Sequence, residues 1–288
     1  MHKCDWCVRA GPLWFGRSNP AGLSMSPELY FALTLAIKMI VAASFVITAT
    51  VAAERAGPAI GALIATLPVS AGPAYVFLAL DHNPEFISRA ALASVALNGS
   101  TAIYAVAYVL LAQRQPFFVA VPGAFLAWLV SVIAFTTIST TTWIAVVINL
   151  IVFPLAFVTV RKYRFARVPP MRLRWYDFAM RALLVACLVG AVVGLSFRIG
   201  PGPTGILAAF PVVFTSIMII LHNRIGGKAA AAVLASGMLG LCGFGLSVLT
   251  LHLTAVPLGN GAALGCALVV ALVWNTSLYA LRQRGVIH

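Results

Sequence analysis

The feature that most constrains this chain is a series of apolar segments, each long enough to cross a bilayer as a helix, with only short polar loops between them. Such a helix needs about 20 mostly apolar residues at a rise of about 1.5 Å per residue. Hydrophobic residues make up 62% of the chain and charged residues only 9%, whereas soluble domains average about 25% charged residues. The sequence therefore predicts an all-α integral membrane protein and excludes a soluble enzyme, because no soluble core could cover so much apolar surface.

Breaks between these segments predict about nine transmembrane helices. The predicted spans, numbered 1 to 9, are Glu28 to Ala53, Pro58 to Leu80, Phe86 to Ala112, Pro116 to Phe135, Thr141 to Val160, Trp175 to Phe197, Pro201 to Leu221, Gly227 to Leu253 and Pro257 to Leu281. Because the loops are short, consecutive spans are predicted to be antiparallel neighbours. Residues 1–27 precede the first span as an N-terminal tail that is predicted to be disordered.

Basic residues crowd the loop between spans 5 and 6, which contains Arg161, Lys162, Arg164, Arg167, Arg172 and Arg174. Cytoplasmic loops carry an excess of Lys and Arg, so this loop is predicted to be cytoplasmic, with the N-terminus outside and the C-terminus inside. The net charge of +13 is then explained by membrane orientation and by contact with anionic membrane lipid. Nucleic acid is not expected as a partner.

An internal repeat at an offset of 143 residues relates two halves of the chain. Its matched positions are Arg55, Gly57 and Pro58 with Arg198, Gly200 and Pro201, and Pro68 with Pro211. The matched Arg, Gly and Pro residues are candidates for gating, or they simply mark the repeat. The predicted organisation is a first four-helix repeat over residues 28–137, a linker helix and basic loop over 138–174, and a second four-helix repeat over 175–288.

The two repeats are predicted to be inverted. The repeat pairs spans 1–4 with spans 6–9 and leaves span 5 between them. An odd number of crossings separates each span from its mate, so the two halves insert with opposite orientation. Inverted repeats of this kind are common in secondary transporters.

Interrupted helices provide the first candidate site. Pro68 and Pro211 lie about ten residues into spans 2 and 7, near the bilayer midplane. A proline at that depth frees a carbonyl group and bends the helix, and hydroxyls that could satisfy it belong to Ser70, Thr215 and Ser216. Matching interruptions in two halves are typical of a substrate site, although a purely structural kink is the alternative.

Two intramembrane cations provide the second candidate site. Lys38 in span 1 and Arg181 in span 6 occupy equivalent positions of the repeat. A cation near the midplane is costly unless it faces protein or water. The functional hypothesis is that both line a central cavity and attract an anionic group, while the alternative makes them interfacial anchors or partners of carbonyl groups.

The sequence contains no constellation typical of an enzyme. It has no phosphate-binding loop and no HExxH metal motif, and no nucleophile stands beside a base. Carboxylates are few and none lies firmly within a span, which argues against a carboxylate relay for protons or sodium. No catalytic residue, metal site or cofactor is therefore predicted.

Each half resembles the GlpM-type small bacterial inner-membrane proteins, which are single units of about four helices. The residues that carry the resemblance are Arg198, Gly205-Ile206-Leu207 and Phe210-Pro211-Val212-Val213-Phe214, continuing to Leu221-His222, with Arg55, Gly57-Pro58, Gly61 and Pro68 in the first half. The first half lacks the phenylalanine before its proline. The resemblance implies topology and a bacterial inner-membrane location rather than chemistry. The layout of four helices, a linker helix and four inverted helices is also similar to the drug/metabolite transporter superfamily.

Two hypotheses of function follow from the sequence. The first is a secondary transporter or channel for a small solute, with a preference for anions because of Lys38 and Arg181. The second is a non-transporting membrane scaffold, accessory subunit or lipid-handling protein, favoured by the lack of buried carboxylates and by the basic loop.

Overall fold

A computed structural model describes residues 26–55, 71–138, 141–164 and 174–284, without the side chains of Ala53, Glu54 and Arg282. The chain divides into two units, residues 1–34 and residues 35–288. The described part of the first unit contains the beginning of the first helix. All contacts described below belong to the second unit.

The described residues form helices and no strand. In chain order these are α1 (Pro27–Arg55), α2 (Ala71–Asp81), α3 (Pro84–Leu111), α4 (Phe117–Ile138), α5 (Thr142–Val160), α6 (Trp175–Ile199), α7 (Pro201–Ala208), α8 (Val212–Ile225) and α9 (Gly227–Gln283), with a short 3-10 turn after α5. Seven segments in the described ranges are long and apolar enough to cross a membrane, with α7 and α8 counted together. The prediction of an all-α, multi-pass membrane protein is therefore confirmed.

Most helix boundaries agree with the sequence. Predicted spans 1 and 3 to 6 coincide with α1 and α3 to α6 to within about three residues. Of predicted span 2, the structure describes only its second part, α2. The candidate residues Gly57, Pro58, Pro68 and Ser70 lie outside the described residues.

Glycine, rather than proline, sets the sharpest turns of the second half. Gly200, Gly226 and Gly259 have φ of 77°, 87° and 78° with ψ of 178°, 160° and 163°. Only glycine readily occupies this backbone region, because a Cβ atom would clash there. Gly200 joins α6 to α7 and Gly226 joins α8 to α9, each with a single residue between the two helices.

The break between predicted spans 8 and 9 lies two residues after the predicted start of span 9. The sequence suggested that span 9 begins at Pro257, but α9 stays helical through that residue and breaks at Gly259. Proline has a φ that suits a helix, so it can stay in the last turn before a break. The break itself needs a positive φ, which the glycine two residues later supplies.

Helix α3 lies at the centre of the packing and is buried on most of its surface, contacting α4, α5, α7 and α9. Small residues permit this close packing. A Cβ on Gly205 of α7 would lie 2.0 Å from the Ala90 carbonyl oxygen, and one on Gly227 of α9 would lie 2.5 Å from that of Ala112. In contrast, α4 and α5 expose many leucine, isoleucine, valine and phenylalanine side chains, as expected of surfaces that face lipid.

The length of helix α6 gives the separation between the ends of α2 and α8, because these two helices end beside opposite ends of α6. Near the last turn of α6, the Ser196 hydroxyl lies 2.8 Å from Nε2 of His82, directly after α2. In the first turn of α6, Asp177 binds Arg224 in the last turn of α8. The α6 residues between Asp177 and Ser196 rise by about 28 Å, close to the thickness of a bilayer core, about 30 Å. We call these the His82 end and the Asp177 end.

Candidate functional site

The span Pro201–Ile225 is interrupted near half its depth. Helix α7 ends at Ala208, and α8 begins at Val212 after a bend that contains Pro211. Pro211 has φ of −78° and ψ of 59°, which is not helical, and it has no N–H group to donate. About ten residues precede it in the span, a rise of about 15 Å, so the interruption lies near the bilayer midplane.

Hydroxyl groups satisfy the carbonyl groups around this break. The Thr101 hydroxyl of α3 lies 3.4 Å from the Ala209 carbonyl oxygen, and the Thr215 hydroxyl of α8 donates to the Pro211 carbonyl at 2.9 Å. One turn before the break, the Ser94 hydroxyl of α3 donates to the Gly205 carbonyl at 2.8 Å. The break is therefore stabilised largely by side chains of another helix.

These contacts belong to a longer line of buried polar groups on α3, which we call the polar stripe: Ser94, Thr101, Tyr104 and Tyr108. Tyr104 lies 3.0 Å from the Thr215 hydroxyl, and Tyr108 lies 2.9 Å from Nδ1 of His222. Because Thr215 donates its only hydroxyl proton to Pro211, Tyr104 donates to Thr215. The stripe follows α7 and α8 over a rise of about 21 Å.

The stripe was missed by the sequence analysis, although a signal for it exists. Its members are separated by seven, three and four positions, a spacing that places them on one face of a helix. Tyrosine in an apolar span resembles ordinary core or interface residues, so only this spacing distinguishes the stripe. The predicted site residue Thr215 contacts the stripe, whereas the Ser216 hydroxyl donates to the Val213 carbonyl within its own helix.

A second buried polar group, formed by two asparagines, connects three helices. Asn98 of α3 donates to Oδ1 of Asn149 in α5 and to the Leu241 carbonyl in α9, both at 3.1 Å. Asn149 in turn donates to the Val95 carbonyl at 2.8 Å. A Cβ on Gly245 would lie 2.5 Å from Nδ2 of Asn98, so glycine is required for this approach. Such amide contacts hold membrane helices together.

Lys38, the first predicted cation, forms an ion pair at the His82 end rather than near the midplane, where its position in span 1 had placed it. Its Nζ atom lies 2.6 and 2.5 Å from the two carboxylate oxygens of Asp81. The side chains remain 13% and 18% exposed. In this conformation, the charge of Lys38 is therefore compensated by a carboxylate at the end of α2.

The second predicted cation, Arg181, is half-buried in α6, one turn after Asp177. Asp177 is almost fully buried, at 1% exposure of its side chain, and one of its oxygens accepts a hydrogen bond from Arg224 at 2.5 Å. The same oxygen accepts from the backbone N–H of Arg174 at 2.8 Å. Asp177 thus caps α6 and pairs with the end of α8 at once.

His82 is the ionisable group beside the Lys38–Asp81 pair. The Ser196 hydroxyl donates to the Val193 carbonyl at 2.8 Å, so it accepts from His82. The His82 ring stacks on Phe86 with a centroid distance of 3.8 Å. Burial lowers the pKa of His82 below its usual value, and Lys38 lowers it further against the opposing effect of Asp81.

The residues of the repeated motif lie at helix ends. Arg55 and Arg198 are exposed near the ends of α1 and α6. Gly200 forms the turn after α6, and Pro201 is the first residue of α7, where a proline is tolerated. Among the described residues, none of these forms a hydrogen bond or ion pair with the polar stripe.

No group of three or more metal-ligating side chains occurs among the described residues. No protein-family model, no curated protein and no solved structure matches the chain. The function must therefore be inferred from the geometry alone. The chain is a multi-pass, all-helical membrane protein with a span broken near its midpoint beside a buried polar stripe.

Proposed function

We propose that this chain is a secondary transporter or channel for a small, anionic solute in the bacterial inner membrane. The observation that carries the proposal is the interruption at Pro211 together with the polar stripe of α3 that follows it. Broken helices at the midplane are the usual setting of solute sites in transporters. Polar groups at that depth are otherwise expensive and are kept where they serve a pathway.

The chemistry of the stripe suits a pathway better than a fixed kink. A kink needs a partner only for the Leu207 carbonyl that Pro211 leaves without its helical donor, and the backbone N–H of Phe210 already donates to that carbonyl at 3.0 Å. The stripe continues beyond it to Tyr108 and His222. A hydroxyl can both donate and accept, so these contacts can be exchanged for contacts with a polar solute without leaving a group unsatisfied.

An inverted repeat of nine spans supports alternating access, and we include it in the proposal. In such a fold, helices related by the two-fold axis pack against each other, so a residue near the axis contacts its own repeat mate. With the one-residue gap that aligns residues 91–94 with residues 233–236, the repeat mate of Asn98 is Gly240, and Asn98 donates to the carbonyl of the next residue, Leu241. The break of α9 at Gly259 would separate spans 8 and 9.

A preference for anions follows from the cations within the spans. Lys38 and Arg181 lie in α1 and α6 at equivalent positions of the repeat. Lys38 is held by a carboxylate that remains partly exposed, and an anionic solute can compete for the same ammonium group. The basic residues after α5 favour a cytoplasmic location for the Asp177 end, with membrane lipid as the surrounding partner.

The proposal is tested by uptake into liposomes that contain the purified protein. A panel of radiolabelled inorganic anions, carboxylates and phosphorylated metabolites would identify the solute. The variant Thr215→Val should then reduce uptake about tenfold or more, because it removes the hydroxyl that joins the break to Tyr104. Ser216→Ala is the matched control, since that hydroxyl binds only within its own helix. Equal uptake by Thr215→Val and the wild type would contradict the proposal.

A non-transporting scaffold, accessory subunit or lipid-handling protein is the second candidate. It is favoured by the exposed cations Arg161 and Lys162, which directly follow α5 beside Tyr163. This arrangement suits anionic headgroups at the membrane surface. Absence of uptake for the entire panel, combined with retention of anionic lipid on purification, would support this candidate instead.

A further inference from the structure

The two ion pairs occupy equivalent places in the two halves of the chain. Asp81 at the end of α2 and Arg224 at the end of α8 are separated by 143 positions, the same offset that relates Lys38 to Arg181. Asp177, the partner of Arg224, lies one helical turn before Arg181 in α6. Each pair therefore joins the first helix of one half to the end of the second helix of that half.

The polarity of the two pairs is reversed. In the first half the cation, Lys38, is on the first helix and the carboxylate ends the second. In the second half the carboxylate, Asp177, is on the first helix and the cation, Arg224, ends the second. Because the sequences differ at these positions, the pairing itself is what the two halves have in common, rather than particular residues.

The two pairs also lie at opposite ends of the membrane-spanning helix α6. Asp177 is in its first turn, whereas Asp81 precedes His82, which binds Ser196 near the last turn. These ends are separated by about 28 Å of helical rise, close to the thickness of a bilayer core. Equivalent contacts at opposite ends are what an inverted repeat requires.

We infer that Lys38–Asp81 and Asp177–Arg224 are the two gates of the proposed transporter, one at each membrane face. The inference rests on the proposed function and assigns the residues that control access to its pathway. Each pair closes the contact between two helices of one half. Both pairs are formed here, so the structure corresponds to a state closed at both ends.

An ion pair is a suitable gate because its energy depends on water. While partly buried, the two charges attract each other strongly, but when the helices separate each charge is hydrated. Opening of the gate therefore replaces the attraction between the two charges with the hydration of each charge. An apolar contact at the same place would instead expose its surface to water with no compensation.

Two buried reporter positions distinguish the gates. Ala42 lies one turn after Lys38 in α1, and its repeat mate Val185 lies one turn after Arg181 in α6. In a protein whose native cysteines are replaced by serine, Ala42→Cys and Val185→Cys are introduced separately. A membrane-impermeant maleimide is then applied to right-side-out and inside-out vesicles, and the rate of labelling is measured.

We expect each gate variant to open one face only. Asp81→Asn should increase labelling of the cysteine at position 42 about tenfold from one face, with little change at position 185. Arg224→Gln should do the reverse, from the other face. The double variant Lys38→Asp with Asp81→Lys restores the pair with exchanged charges and should return labelling at position 42 to the wild-type rate. If Asp81→Asn does not insert, Lys38→Gln removes the same pair from its other side.

The outcomes separate this inference from the function on which it rests. Unchanged labelling in both variants, with solute uptake retained, overturns the gates and leaves transport standing. Opening from the same face in both variants overturns the gates and the inverted architecture together. If the two variants open opposite faces but no solute of the panel is taken up, the assigned pairs are supported as gates. The proposal that the solute is one of these anions is then contradicted.

Discussion

The two ion pairs have equivalent positions but are held with different strength. Asp81 is partly exposed and binds Lys38 with both oxygens. Asp177 is buried, and one oxygen accepts hydrogen bonds from both Arg224 and the backbone of Arg174. A buried carboxylate that also caps a helix is expensive to release, whereas a partly exposed one exchanges readily with water. We therefore expect the His82 end to open more easily than the Asp177 end.

The largest expected effect tests this difference directly. Asp177→Asn should lower the free energy of unfolding by about 3 kcal/mol or more, because it removes the buried charge that pairs with Arg224 and weakens the cap of α6. Asp81→Asn should lower it by only about 1 kcal/mol. The difference is measured by thermal unfolding of both variants in detergent, with the reactivity of the native thiols as the signal of unfolding. Glu85→Gln, which changes an exposed carboxylate in the first turn of α3, is the control. Equal losses for the two aspartates would remove the proposed asymmetry.

The turns between helices provide a comparison of the halves that does not depend on charge. Gly200→Ala should cost about 1–3 kcal/mol, because its φ of 77° is unsuitable for alanine although space for a Cβ is available. Gly265→Ala is the matched control, since it has equal space and no positive φ, and should be neutral or slightly stabilising. The repeat predicts that Gly57→Ala lowers the free energy of unfolding by as much as Gly200→Ala does. A neutral Gly57→Ala would argue against equivalent turns in the two halves.

A smaller effect is expected for the hydroxyls of the polar stripe. Tyr104→Phe and Thr215→Val each remove one side of a contact 3.0 Å long. A double-mutant cycle of these variants should give a coupling energy of about 0.6 kcal/mol, the average for polar side-chain contacts between membrane helices. Pairing Tyr104→Phe with Ser216→Ala is the control and should give no coupling, because Ser216 binds Val213 instead. Independent effects of Tyr104 and Thr215 would mean that the Tyr104 hydroxyl does not stabilise the broken span.

Much of the fold could be predicted because the membrane imposes simple rules. The length of an apolar segment fixes a span, and five predicted spans coincide with helices of the structure. Turns were harder to predict, since proline and glycine can both end a helix. Only the backbone angles show that α9 breaks at Gly259 and not at Pro257. A sequence gives the order of such residues but not the strain at each.

The candidate site was harder to predict because its partners are distant in the sequence. Lys38 was recognised as a cation within a span, but its partner Asp81 was not identified. Similarly, Thr215 was identified by its proximity to Pro211, while Tyr104 lies 111 positions away. Charge and hydroxyl content are visible in a sequence, but the pairing between helices depends on packing angles that apolar patterns do not specify.

The smallest expected effect concerns the pH dependence of the His82 end. Burial lowers the pKa of His82 below its usual value of 6.5, so the unfolded histidine binds a proton at a higher pH than the folded one. Stability should therefore decrease as the pH falls below about 6.5. The groups around His82 are Asp81, Lys38 of α1 and Ser196 of α6, and Asn260 of α9 donates to its carbonyl oxygen.

His82→Gln distinguishes this histidine from the other titrating groups. Glutamine keeps a donor for Ser196 but does not titrate, so the variant should lose less stability than the wild type between about pH 7.5 and pH 5.5. Melting temperatures at the two pH values provide the measurement. The Asp177 end serves as the internal comparison, because Asp177→Asn should shift the melting temperature similarly at both pH values. An identical pH dependence in His82→Gln and the wild type would show that protonation of His82 does not weaken the His82 end, and the easier opening of that end would then have to arise from the exposure of the Lys38–Asp81 pair alone.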